Sequence, residues 1–330
     1  MQCSGTVVKL DRGFPLIRTQ DGGEFRCKHA TAYVKGGNLR AVIGDRVVVD
    51  LPDGADMAQI IDILPRKNQF IRKDPAERAI AQVLAANFDT VIIAHPLSEL
   101  NIRRLERELV LAHETGVRVV VALTKADLAE SDEQLEETFQ LVRQIVSDQV
   151  DVLVVSERDA QSIEALRSYI PESSVAILIG RSGVGKSSMV NLLAGCHVMD
   201  TTPVRESDGK GRHTTVSRAM IQVLGGGLVV DMPGVRGLGL WESEEGINAA
   251  FAEVASLAQE CRFRDCQHEN EPGCAVMKAV EEGIVPLARV ESYRNLMREN
   301  EDQRKRREEA DRLKERASRG SHRKGGKRRK

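Results

Sequence analysis

Residues Gly180, Arg181, Ser182, Gly183, Val184, Gly185, Lys186 and Ser187, followed by Ser188, match the pattern G-x-x-x-x-G-K-[S/T]. The apolar run VAILI precedes them and the helical stretch SMVNLLAG follows. That is the context in which glycines let successive backbone N–H groups converge on phosphate oxygens. Lys186 supplies positive charge to the β- and γ-phosphates, and the Ser187 hydroxyl is a ligand for Mg²⁺. The helix after the loop adds its positive N-terminal end. A chance Gly-rich turn would not be expected to bring both the strand and the helix.

Two further segments belong with this loop. Asp231, in the run DMPG, ends the apolar run GLVV, where a carboxylate can hold the Mg²⁺ hydration shell and Gly234 can offer an N–H to the γ-phosphate. Upstream lies GRHTT, residues 211–215, from which Thr214 or Thr215 could reach the same metal. After DMPG comes Val235, which cannot orient an attacking water, so His213 is the candidate for that task. Lys186 stabilises the developing phosphoryl charge.

The run Thr124, Lys125, Ala126, Asp127 follows the apolar run VRVVVAL. It has the form of the GTPase base-reading motif N-K-x-D, whose Asp accepts two hydrogen bonds from the guanine edge. Adenine lacks that donor pair, so Asp127 favours guanine. Ser156, after Val154 and Val155, fits the second, weaker base loop, with Glu157 where Ala is usual. The order is unusual, because both base-reading segments precede the phosphate loop. That order is a circular permutation, which is tolerated when the original termini lie close together at the surface. A further chemical cluster is Cys261, Cys266, His268 and Cys274, four soft ligands within 14 residues. Three thiolates and an imidazole satisfy tetrahedral Zn²⁺ with no open position, which makes the site structural.

These residues need elements to hold them. Residues 1–67 read as short strands (GTVVKL, FPLIRT, EFRCKH, DRVVVDL) between turn signals, the pattern of a small barrel such as an OB-fold that binds RNA. Residues 68–240 alternate apolar strands with amphipathic helices, a mainly parallel α/β sheet, with 68–87 expected as a charged, mildly helical linker. Residues 241–300 read as helices around the Cys/His cluster, and 301–330 as a basic tail without a core, expected to be disordered.

The 330 residues are 41% hydrophobic and 29% charged, which excludes a wholly disordered chain. No apolar run approaches the roughly 20 residues of a spanning helix, and the N-terminus lacks a signal peptide pattern. We expect a cytoplasmic monomer with no membrane partner. The formal net charge of −1 conceals a net +10 over residues 303–330 against −11 elsewhere. A basic tail on an acidic body either meets a polyanion or serves only as a solvated terminus. Aromatics are only 3% of the chain, which argues against base stacking as the main mode of RNA recognition.

Taken together, these motifs closely resemble the circularly permuted GTPases of small ribosomal subunit biogenesis, the RsgA (YjeQ) family. DCQHENEPGCAVMKAVEEG resembles that family's zinc segment, GRHTT its first switch, and LPRKNQFIRK its junction between barrel and GTPase domain. The resemblance implies a multidomain protein: an OB-fold, a permuted P-loop α/β domain and a helical zinc domain. It also implies GTP hydrolysis to GDP with Mg²⁺, one Zn²⁺, and binding to the small ribosomal subunit and its rRNA, with release after hydrolysis. The alternative is a GTP-gated module acting on a non-ribosomal RNA or protein. The chain departs from the family at Thr124, where Asn is usual, and at Met232, where Thr is common.

Overall fold

The computed structural model describes residues 2–11, 14–30, 40–50, 57–73, 81–200, 218–232 and 239–325, with the side chains of 311 and 314–325 excepted. It divides into two compact units, Met1–Ile71 with Val83–Arg236, and Arg72–Gln82 with Gly237–Lys330.

The first unit opens with β1 (Gln2–Asp11), β2 (Phe14–Thr19), β3 (Glu24–His29), β4 (Arg46–Asp50) and β5 (Ala58–Ile63). They pair in the order β1-β2-β3-β5-β4, and β4 returns to β1, so the sheet closes into a five-stranded barrel. Alternate residues point inward, and Val7, Ile17, Cys27, Val47, Val49 and Ile60 form the barrel core at zero exposure. Closure removes the free edges that an open sheet of this size would present.

The expected linker over 68–87 is not helical. It holds β6 (Gln69–Lys73) and β7 (Ala81–Ala86), paired as a two-stranded ribbon. Phe70, Leu84, Ala85 and Ala86 are all buried. Burying one Phe is worth roughly 2–3 kcal/mol, which outweighs the few tenths per residue of alanine's helical preference. The barrel and the α/β sheet fall in one compact unit. Arg66 makes a two-pronged ion pair with the buried Asp45, at 2.7 and 2.9 Å. Asn87 donates to the Gly44 carbonyl at 2.9 Å. Gly44 sits at φ +88°, and a Cβ there would stand 1.9 Å from the Ala86 carbonyl oxygen, so only glycine permits this approach.

The rest of the first unit alternates strand and helix: β8 (Thr90–Pro96), α1 (Ile102–His113), β9 (Arg118–Thr124), α2 (Asp132–Ile145), β10 (Asp151–Val154), α3 (Ala160–Arg167), β11 (Val175–Ile179), α4 (Lys186–Ala194), β12 (Arg218–Gln222) and β13 (Leu228–Asp231). The strand order is β10-β9-β8-β11-β13-β12, parallel except for β12. β8 is buried along its whole length, as a strand covered on both faces must be. Asn101, Ser131 and Asp159 cap α1, α2 and α3 by accepting N–H groups of the first turn. β12 also pairs with the barrel strand β1, Lys9 opposite Ala219 and Leu10 opposite Arg218.

The second unit contains α5 (Glu244–Ala250), α6 (Ala252–Ala258), α7 (Ala275–Glu281) and α8 (Leu287–Gly325). Arg289 lies over the Phe251 ring at 3.9 Å and bonds Glu253 at 2.7 Å, and Tyr293 packs 5.8 Å from Phe251. The expectation of disorder from residue 301 is corrected as far as Gly325, because α8 runs unbroken to that residue. Lys, Arg and Glu are good helix formers, and the pairs Glu301–Lys305 and Glu308–Arg312 join successive turns. No helix among the described residues is long and apolar enough to cross a membrane.

Candidate nucleotide site and metal centre

From β8 the sheet extends through β9 and β10 on one side, and from β11 through β13 and β12 on the other. The carboxyl ends of β8 and β11 therefore flank a topological switch point, where open α/β sheets bind ligands. The glycine-rich turn occupies that position. Gly180 has φ +143°, and a Cβ on it would stand 2.4 Å from the Ala94 carbonyl oxygen, so the turn lies directly on the end of β8. Gly185, at φ +95°, starts α4 from a left-handed position. Lys186 is 7% exposed and its Nζ donates to the carbonyls of Gly180 (2.9 Å) and Arg181 (3.0 Å). The ammonium thus spans the loop that the sequence assigned to phosphate.

Burial pulls the Lys186 pKa down, while the carboxylates of Asp231 and Glu108 pull it back up. Burial raises Asp231, and Lys186 opposes that rise. The Asp231 Oδ1 is buried and has no hydrogen-bond partner among the described residues. An orphaned carboxylate oxygen is costly unless something charged engages it. With a hydroxyl on α4 at Ser187, the donor set suits a hydrated divalent cation.

The base-reading segments meet this loop. Thr124 is buried, and its hydroxyl lies 2.7 Å from the Val184 carbonyl and 3.2 Å from that of His95. Thr124 therefore ties the end of β9 to the phosphate loop, a steadying contact retained without the usual Asn amide. Lys125 takes a left-handed backbone (φ 59°), and Ala126 N–H donates to the Val155 carbonyl at 3.3 Å. The Ser156 hydroxyl is 3.4 Å from Asp127 Oδ1, and Arg158 is 3.7 Å from Oδ2. Both contacts are long, which leaves the Asp127 carboxylate able to accept stronger bonds. Gly183, Ser182 and Ser188 lie in the same turn and first helical turn. His213, Thr214, Thr215 and Gly234 lie outside the described residues.

One group of buried charges has no sequence motif. Glu108 on α1 is fully buried, accepts from Arg104 at 2.9 Å, and faces His95 at 3.9 Å. His95 is the penultimate residue of β8, with both ring nitrogens unpartnered among the described residues. Burial pushes Glu108 up to about 7, against Arg104 and Lys186, and pushes His95 down to about 4. The two shifts oppose each other in their effect on stability. Glu108 stabilises below its unfolded value near 4.5, and that contribution is lost as pH rises through about 7. His95 stabilises above its unfolded value near 6.5, and that contribution is lost as pH falls through about 4. Between pH 4.5 and 6.5 the slopes cancel. In Glu108→Gln we expect stability to rise with pH by about 3 kcal/mol across this window. Urea unfolding at several pH values checks this, and curves parallel to the parent's would refute it.

In the second unit the ligand atoms of Cys261, Cys266, His268 and Cys274 lie within 4.8 Å of one another. Cys261 Sγ is 3.9 Å from Cys274 Sγ, and each is 3.6 Å from His268 Nδ1. A tetrahedral ion bound as zinc is would set edges of about 3.8 and 3.6 Å between such atoms. The donors therefore fit a structural metal. Glu271 accepts the N–H groups of Gln267 and Glu269, both at 2.8 Å, and these bonds hold its carboxyl down at about 2. It shapes the ligand loop from within.

A parallel sheet with a phosphate loop at its switch point, preceded in the chain by a base-reading turn, defines a circularly permuted P-loop nucleotide hydrolase. The RsgA GTPase family model matches residues 63–241. A Streptomyces coelicolor protein named small ribosomal subunit biogenesis GTPase RsgA is 42% identical over 300 residues, 90% of this chain and 80% of that one. The chain belongs to the RsgA GTPase family and is a GTPase. The crystal structure of YjeQ from Thermotoga maritima is similar with a TM-score of 0.67 at 26% identity, over 91% of this chain and 99% of that one. YloQ, described as a circularly permuted GTPase, shares the fold with a TM-score of 0.63 at 23% identity, over 92% and 96%.

Proposed function

We propose that this GTPase binds the small ribosomal subunit late in its assembly, in the cytoplasm and as a monomer, and leaves after hydrolysis. The contact that best supports a single guanosine triphosphate cradle is the hydrogen bond from Thr124 to the Val184 carbonyl, which joins base reader to phosphate loop. In that cradle Asp127 accepts the guanine edge, the Lys125 stem packs along the base, and Ala126 and Ser156 border it. The N–H groups of residues 180–188 surround the phosphates, and Lys186 stabilises the charge that develops on the transferred group. Ser187 and Asp231, with Thr214 or Thr215, would hold Mg²⁺, which supplies charge neutralisation across the β- and γ-phosphates. Gly234 offers an N–H to the γ-phosphate. His213 positions the attacking water. Zn²⁺ in the Cys261, Cys266, His268, Cys274 site has a structural role only.

The test is GTP turnover alone, with purified small subunits, and with unrelated RNA, each at two salt concentrations. We expect subunits to stimulate turnover at least about 10-fold, less at high salt, and unrelated RNA to do little. Equal stimulation by unrelated RNA would favour a GTP-gated module with another target.

A further inference from the structure

The metal-binding loop and the first turns of α8 border a pocket of about 310 Å³ that adjoins the metal site, with the ligands Cys266 and His268 in its wall. Its walls carry the guanidinium groups of Arg264, Arg294, Arg298 and Arg304, together with Phe263 and Asn300. Two carboxylates, Glu244 and Glu301, also line it, and Glu301 is engaged by Lys305 at 2.8 Å. Positive charge is therefore in surplus. Glu269, from the metal loop, receives both Arg294 and Arg298 on one carboxylate oxygen. One turn apart on α8, these two side chains are thereby held side by side, with further N–H groups free to point elsewhere. Phe263 is 41% exposed, although it is a large apolar residue in a chain with few aromatics. The Arg262 guanidinium lies over one face of its ring at 5.5 Å, which leaves the opposite face for stacking.

We propose that this pocket receives one unpaired nucleotide of RNA, its base stacked on Phe263 and its phosphates held by the arginines of α8 and the metal loop. The proposal rests on the RNA-rich partner argued above and adds a specific mode of contact. An acidic peptide would use the charges but gains nothing from an exposed aromatic face, whereas every base has a π-face to place on it. Guanidinium groups pair bidentately with phosphate, which lysines cannot do. The composition still argues against stacking as the main mode. The pocket provides it at one position.

The experiment measures binding of a short single-stranded RNA and of a duplex of equal length to the full chain. The variants are Phe263→Leu, Phe263→Trp and Arg298→Gln, with metal content and melting as folding controls. We expect Phe263→Leu to weaken single-strand binding about 10-fold, leaving duplex binding and the salt slope unchanged. Phe263→Trp should restore it, and Arg298→Gln should lower the salt slope by about 1. Phe263→Leu binding single strands as the parent does would overturn the proposal. So would an equal loss on single strand and duplex, or a poly-glutamate peptide displacing the RNA more effectively than RNA itself. Subunit-stimulated turnover reads the ribosomal function separately, so the two readings can fail independently.

Discussion

Replacing Lys186 with alanine should lower kcat/KM for GTP by about 10³-fold or more. Lys186 is nearly buried, bridges two carbonyls of the phosphate loop, and stands at the first residue of α4. Its charge meets both the loop carbonyls and the Asp231 carboxylate. Removing it leaves the helix N-terminus and backbone N–H groups to meet the triphosphate without a compensating ammonium. Lys186→Arg keeps the charge, but a planar guanidinium does not fit a space filled by a point-like ammonium. We expect it to remain at least about 10²-fold impaired. Single-turnover hydrolysis gives the number, and a Lys186→Ala enzyme within about 10-fold of the parent would remove Lys186 from the catalytic account.

The second large effect concerns the metal. Residues 261–274 contain no helix or strand, and their backbone is held by a few turn bonds, such as Arg262 N–H to Gly273 at 3.1 Å and Cys274 N–H to Glu271 at 3.2 Å. The loop has little apolar core, so the metal serves as its core. Zinc bound to comparable thiolate–imidazole sets contributes about 10–16 kcal/mol of apparent binding energy, coupled to folding. Chelation should therefore lower the melting temperature of the second unit by at least about 10 °C. Nucleotide binding should survive, since Lys186, Thr124 and Asp127 lie in the first unit. Calorimetry before and after metal removal, with GTP titration alongside, measures both. An unmoved second transition in metal-free protein would exclude the structural role.

How far the chain could be read in advance depended on whether the determining contacts are local. The phosphate loop, the Thr124–Asp127 run and the Cys/His cluster are contiguous, and their chemistry demands particular residue types at short spacing. The strands of the α/β sheet were legible for a similar reason, as in β8 and β9, whose unbroken apolar runs admit few other environments. The β6–β7 ribbon was not legible. Its alanines suit a helix, and the burial of Phe70 and Leu84 that decides otherwise is tertiary. The continuation of α8 is not legible from hydrophobicity, because spaced Glu–Lys and Glu–Arg pairs sustain a helix without a core. His95 and Glu108 have no motif at all. They meet only because β8 ends against the middle of α1, and the cue in the sequence was merely two ionisable residues in apolar surroundings.

β12 is stitched on both edges, to β13 on one side and to the barrel strand β1 on the other. A one-residue slip would turn Met220 outward and break both ladders, so the register of β12, Arg218 opposite Leu10 included, is fixed. The barrel and the α/β sheet thus share β12 as a common wall, so a disturbance of either ladder is felt in the other.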